Sequence, residues 1–194
     1  ENVEIKKDVY SRYTMNMSKA NNGFVLVLQD MKGGSIKGDT FTYEIVSANG
    51  RMAHDFSLVD DDKISYGAYF VESADLSDYD SAEPEENAEI NLTVARAELN
   101  TLRLMSDKST RLIIRERHTE RLVLNIDLVQ YILLTRERYE QKVGVKLTDQ
   151  QYLDYEDSFS LMFVMMPTGS IVNPYAMVEL RINGWVVRSQ SAEL

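Results

Sequence analysis

The sequence predicts a mainly β protein: an antiparallel Greek-key β-sandwich with one helical excursion around residues 128–141. Three observations carry this reading. Short apolar runs recur along the chain with a period of two or as unbroken β-branched blocks. Asn-Gly, Gly-Gly and Pro-Thr-Gly-Ser signals divide them. Only one stretch, beginning at Asp127, carries apolar residues at helical spacing.

Tyr13–Met17 alternates apolar and polar residues, as a half-buried strand does, and Asn21-Asn22-Gly23 after it reads as a hairpin turn. Phe24–Leu28 is continuous and β-branched, which suits a strand buried on both faces. Gly33-Gly34 leads to the alternating run Phe41–Val46, which Asn49-Gly50 closes. Ile64–Val71 reads as one strand with Gly67 as a bulge. The acidic stretch Glu72–Glu89 reads as an exposed loop, after which Ile90–Val94 resumes the strand pattern and Leu102–Leu104 continues the β region after a short irregular connection. Arg111–Arg115 and Arg121–Leu124 flank His118-Thr119-Glu120 as a hairpin. Asp127 is placed to cap a helix over Leu128–Gln141, and Thr148-Asp149-Gln150-Gln151 has capping-box spacing for a second short turn. Phe159–Val164 is a strand and Pro167–Ser170 a turn. The closing segment Val178–Arg188 puts Val178, Leu180 and Ile182 on one face, with Asn183-Gly184 as a bulge and Trp185 packing beyond it.

One domain over residues 1–194 is the default for this length, with about 70% of the extended-chain surface available for burial. The net charge of −10 repels a phosphate backbone, so nucleic acid is not an expected partner. Without cysteine there are no disulfides and no thiolate metal sites. No apolar run is long enough for a transmembrane helix, and the opening residues lack a signal-peptide core, so an export signal or lipid anchor would lie upstream of Glu1.

Motifs for chemistry are scarce. His54 and His118 fall in predicted loops, outside any metal-binding pattern, and no nucleophile elbow, P-loop or dinucleotide fingerprint occurs. No catalytic residue and no cofactor is assigned. Asp75, Asp78 and Asp80 form a weak calcium candidate in the acidic stretch, although neither they nor Asp60-Asp61-Asp62 match an EF-hand loop. Eleven tyrosines are more than a core needs, which keeps open a Tyr-lined contact for glycan or host protein. A sandwich hydrolase using carboxylates stands behind both readings. The nine methionines read as core gap-fillers.

Three stretches in one order carry a resemblance. They are Tyr13–Asn22 with Phe41–Ile45 and Ala48-Asn49-Gly50; Leu92–Leu99 with Arg111–Ile114 and Asn125–Leu128; and Gln150–Phe159, closed by Leu180–Arg188. Together, from about Tyr13 to Leu194, they resemble the C-terminal domain of the FimB-type fimbrial anchor subunits, within the fimbrillin-like group of gut and oral anaerobes. The signature residues are Tyr152, Leu153 and Asp154, and Asn183, Gly184 and Trp185. One departure is Tyr155, where that family often carries a basic residue.

The resemblance implies a transthyretin-like sandwich that is the second domain of an exported two-domain lipoprotein. Its implied role is non-enzymatic, anchoring or initiating a fimbria at the outer membrane and contributing to adhesion. Implied partners are other fimbrial subunits, joined by strand complementation, and the outer membrane, reached through an upstream lipid anchor. The implied location is the surface of a Gram-negative anaerobe. The polar tail Ser189–Leu194 is a poor donor strand, so any assembly contact is expected elsewhere.

Overall fold

In a computed structural model of the chain, the described residues are 10, 12, 19–54, 57, 59, 63–75 and 93–189. Among them are ten strands: β1 (Asn21–Asp30), β2 (Phe41–Ser47), β3 (Ile64–Gly67), β4 (Phe70–Asp75), β5 (Thr93–Leu102), β6 (Thr110–Glu116), β7 (Leu122–Asp127), β8 (Ser158–Pro167), β9 (Tyr175–Ile182) and β10 (Trp185–Ser189). Three short helices, α1 (Leu128–Leu133), α2 (Arg136–Val143) and α3 (Asp149–Tyr155), lie between β7 and β8.

The strands form two sheets, ordered β10-β9-β8-β1-β5-β4 and β3-β2-β6-β7. Phe24, Leu26, Leu28, Leu99, Phe159 and Leu161 of the first pack in one cluster with Phe41, Ile45, Leu112 and Ile126 of the second. The expectation of a mainly β sandwich is therefore met. The pairing is not antiparallel throughout, since β1 and β8 run parallel from Gly23↔Ser158 to Asp30↔Met165. That pair joins two distant parts of the chain across the middle of the larger sheet, as a parallel pair requires a crossover rather than a hairpin.

The unbroken apolar run in β1 has the predicted cause. Phe24, Leu26 and Leu28 face the sandwich core, while Val27 is buried on the other face with Val94 and Met162.

Several local expectations are corrected. Asn21-Asn22-Gly23 is not a turn but the start of β1, paired with Leu102, Thr101 and Asn100 of β5. Tyr13–Met17 lies outside the described residues, as do Ile90–Leu92. Ile64–Val71 is two strands in different sheets. At the corner the Ala68 amide donates to the Tyr43 carbonyl of the smaller sheet, and the next amide, of Tyr69, donates to Glu98 of the larger one. Gly67 therefore ends β3 and is not a bulge within it.

The helix expected over residues 128–141 runs to Val143 and is broken once, into α1 and α2, with α3 following as a separate helix. Asp127 caps α1 by accepting from the Gln130 amide at 3.2 Å. The buried Thr135 hydroxyl then lies 2.6 Å from the Ile132 carbonyl, a local bond that competes with helix continuation. Gly144, at φ 72°, ends α2, its amide donating to the Glu140 carbonyl. The predicted capping box at Thr148 and Gln151 opens α3.

Candidate functional site: the signature residues and the sheet edges

The first signature segment is part of the architecture. Tyr152 and Leu153 are buried in the core. The Tyr152 ring packs edge-on against Phe159 at 6.4 Å, and its hydroxyl lies 2.6 Å from that of Thr135. Asp154 takes two hydrogen bonds from the Arg103 guanidinium, at 2.7 and 2.6 Å, and a third from Gln150. Gln150 also joins the Leu104 carbonyl and the Ser106 amide. The Lys19 ammonium donates to the Leu153 and Glu156 carbonyls at the C-terminal end of α3, where cations are favoured. Asn22 accepts from the Leu104 amide and donates to the Glu156 carbonyl. Asn49 donates to the Leu102 and Arg103 carbonyls and accepts from the Tyr66 hydroxyl. This polar clamp ties the start of β1, the β5–β6 connection and α3 into one end of the sandwich.

Electrostatics in the clamp follow from that packing. Burial pushes the Asp154 carboxyl up, but the bonds from Arg103 and Gln150 and the charges of Arg103 and Lys19 outweigh it and hold it below the usual carboxylate value. Burial pulls the Lys19 ammonium below the usual lysine value, against the pull of Asp157, Asp154 and Glu156. Burial also lifts the Glu156 carboxyl. At the far side of α2, the buried Glu140 accepts from Lys146 at 2.8 Å and from the Leu147 amide at 2.9 Å. Those bonds hold it below the usual value and fix the α2–α3 loop.

The second signature segment closes the larger sheet. Asn183 and Gly184, at φ 49° and 80°, form the two-residue turn of a β9–β10 hairpin, the Asn-Gly type whose twist matches the strands. The expected bulge at this position is therefore corrected, and a register shift lies instead between Val186 and Arg188. Half-buried Trp185 begins β10 opposite Ile182. Both signature segments touch the start of β8, Tyr152 through Phe159 and Asn183 through the Ser160 amide. They do not converge on a common reactive centre.

Of the calcium candidates, Asp75 ends β4, while Asp78 and Asp80 lie outside the described residues, as do Asp60–Asp62. Among the described residues no group of three or more histidines and carboxylates is placed to hold a metal ion. His54 and His118 are exposed in turns. Of the tyrosines, Tyr43 and Tyr152 are core residues and Tyr10, Tyr69 and Tyr155 are exposed. No helix among the described residues is long and apolar enough to cross a membrane.

The sheet edges differ. At β10 the Arg138 guanidinium from α2 donates to the Val186 carbonyl, and Arg188 reaches the Tyr131 hydroxyl of α1. A covered, bulged edge is protected against strand addition. The β3 edge is only four residues long. The other two edges, β4 and β7, have six residues each. Beside β7 lies the loop 168–174, which the sequence offers only as a turn at Pro167–Ser170. Its backbone is pinned by its own side chains: the Ser170 amide donates to the Thr168 hydroxyl, and the Val172 and Asn173 amides donate to the Ser170 hydroxyl. Arg121, next to β7, donates to the Ile171 carbonyl. At the apex Ile171 and Val172 are 80% and 77% exposed, and Leu122, the first residue of β7, is 40% exposed. The available signal was an Ile-Val pair between Ser170 and Asn173-Pro174, a stretch whose turn residues call for polar neighbours.

A two-sheet scaffold whose clamp residues bond to one another and that exposes aliphatic side chains beside a sheet edge has the form of a binding or assembly module. The chain belongs to the family of fimbrillin-A associated anchor proteins Mfa1 and Mfa2, whose profile matches residues 1–191. Similar structures include an adhesin candidate from Bacteroides thetaiotaomicron, 26% identical over 95% of this chain and 57% of that one, with a TM-score of 0.74. A polysaccharide-binding candidate from the same organism is 27% identical over 90% of this chain and 52% of its own, with a TM-score of 0.64. The fimbrial anchor protein Mfa2 from Porphyromonas gingivalis shares the fold at 18% identity and a TM-score of 0.59, over 88% of this chain and 49% of its own. The chain thus spans about half to three-fifths of the length of these structures. No curated protein matches it.

Proposed function

We propose that this chain is a non-enzymatic structural subunit of a cell-surface fimbria, anchoring or initiating the fimbria at the outer membrane and contributing to cell adhesion. In this reading it is the C-terminal domain of a longer, two-domain protein whose lipid anchor lies upstream. The partner subunit joins by adding a strand to β7. The observation that carries the choice of edge is the apolar set Leu122, Ile171 and Val172 beside a six-residue edge strand. Backbone hydrogen bonds would supply affinity, and burial of those side chains would supply register. Burying a Leu, Ile or Val side chain is worth about 1.5–3 kcal/mol, so three of them form a substantial anchor.

Hydrogen exchange on the complex of the full-length protein with its fimbrial partner tests this. Slowed exchange of the β7 amides on complex formation is expected. A complex that forms with β7 exchanging as in the free protein would refute strand addition there.

A second reading has an observation of its own. The similar structure described as a polysaccharide-binding candidate covers 90% of this chain at 27% identity. Exposed tyrosines suit glycan contact, so the same subunit would bind polysaccharide at the cell surface while it anchors the fimbria. Retardation of the protein in gels containing a polysaccharide tests it, and unchanged mobility in every polysaccharide tried would remove it.

A further inference from the structure

On the outer face of the larger sheet, away from β7, five side chains form one connected group. Arg96 on β5 places its guanidinium 5.5 Å from the centre of the Phe70 ring. It pairs with Glu72 on β4 at 2.7 Å and with Glu98 on its own strand. Glu98 in turn accepts from the Tyr69 hydroxyl at 2.6 Å. Tyr69 is 62% exposed and Phe70 40%. These residues stand on two paired strands, with Phe70 opposite Glu98 and Glu72 opposite Arg96. Each side chain is held by its neighbours, so the group pays little conformational entropy on meeting a ligand.

We infer that Tyr69, Phe70, Glu72, Arg96 and Glu98 form a contact site for a neutral polysaccharide, an inference that rests on the glycan-binding reading above. The chemistry fits that ligand class. A sugar ring presents an apolar C–H face and a rim of hydroxyls. The exposed Tyr69 ring offers a flat apolar platform for the first. Planar carboxylates and a guanidinium offer paired acceptors and donors, at fixed spacing, for the second. Two carboxylates against one guanidinium leave a net negative charge, on a protein of net charge −10. Polyuronates and other acidic glycans are therefore repelled. The Tyr69–Glu98 bond raises the tyrosine and lowers the carboxyl from their ordinary values, which keeps donor and acceptor roles fixed at neutral pH.

Affinity electrophoresis of the full-length protein in gels containing a β-glucan, an α-mannan or polygalacturonate tests the site. Retardation by a neutral polymer and not by polygalacturonate is expected. Tyr69→Ala is expected to weaken it at least tenfold with no change in thermal midpoint, Glu98→Gln to weaken it less, and Tyr155→Ala, on α3, to leave it unchanged. If no neutral polymer retards the wild type, the glycan-binding reading falls and the site with it. Retardation of Tyr69→Ala equal to wild type, or a preference for polygalacturonate, overturns the site alone. Loss of fimbrial co-assembly in Tyr69→Ala with polysaccharide binding intact would overturn it too, assigning the surface to a protein partner.

Discussion

The two ends of the sandwich solve opposite problems. At the end where β1 begins, polar groups are drawn inward: Asn22 and Asn49 are fully buried, and Lys19, Arg103 and Asp154 are partly so. Every one of them has a named partner. At the other end, beyond Asp30 and Met165, apolar groups are turned outward on the stapled loop 168–174. A buried polar group costs free energy unless bonded, so the first arrangement fixes one geometry of the chain. An exposed aliphatic pair gains nothing in the free protein, so the second arrangement points to contact with a partner. The difference separates residues that hold the fold from residues that the proposed contact would use.

The comparison breaks most visibly at Tyr152. Tyr152→Ala removes a buried ring that packs on Phe159 and Tyr139 and is expected to destabilise by about 3–5 kcal/mol, read from urea unfolding. Tyr152→Phe keeps the ring and loses only the contact with Thr135, whose hydroxyl retains the Ile132 carbonyl, so about 0.5–1.5 kcal/mol is expected. Near-equal losses in the two variants would show that the hydroxyl pair, and not the ring, holds the excursion.

Asp154→Asn comes next. It weakens a two-point, partly exposed ion pair, and about 1–2 kcal/mol is expected at neutral pH. The pH dependence has a definite sign. Because the folded carboxyl titrates below its unfolded value of about 3.9, its contribution is complete above that pH and is lost as pH falls through the lower folded value. Wild type and Asp154→Asn should therefore differ by a constant amount above about pH 4.5 and converge in more acid solution. Glu156, raised by burial, acts in the opposite sense: its ionised form is disfavoured in the fold, so Glu156→Gln should stabilise near pH 7. A gap for Asp154→Asn that widens on acidification would contradict the clamp as described.

What was legible in the sequence divides along the same line. Strand positions, the Asp127 cap, the Thr148 capping box and the apolar β1 are local, and period and turn chemistry report them. Of the residues that carry the resemblance, Tyr152, Leu153 and Asp154 are a core pair and a clamp residue, which is a structural role. Asn21-Asn22-Gly23 misled because its composition says turn, while Asn22 is spent on Leu104 and Glu156, 82 and 134 positions away. The parallel β1–β8 pair and the sheet switch at Ala68-Tyr69 are long-range choices with no local code. The Tyr69–Arg96 group was equally hidden, because its members come together only when β4 pairs with β5.

A smaller effect sharpens the picture of the closing hairpin. Gly184→Ala places a side chain at φ 80° in open space, so the cost is backbone strain alone, about 1 kcal/mol in thermal or urea unfolding. A loss several times larger would mean that the β9–β10 turn also carries packing.

The smallest effect on stability is the one that decides the functional half of the comparison. Replacing both Ile171 and Val172 with Ser removes side chains that are already in water, so the unfolding free energy should change by less than about 0.5 kcal/mol. The loop should keep its shape, because Thr168, Ser170 and Arg121, and neither replaced side chain, hold its backbone. Association with the fimbrial partner should nevertheless weaken by a factor of ten or more, since about 1.4 kcal/mol per tenfold is less than two buried aliphatic side chains supply. Co-purification with the partner, compared at equal folded concentration, measures it. Full partner binding by the double variant would return the exposed pair to ordinary surface and leave β7 with no more claim to the partner than β4.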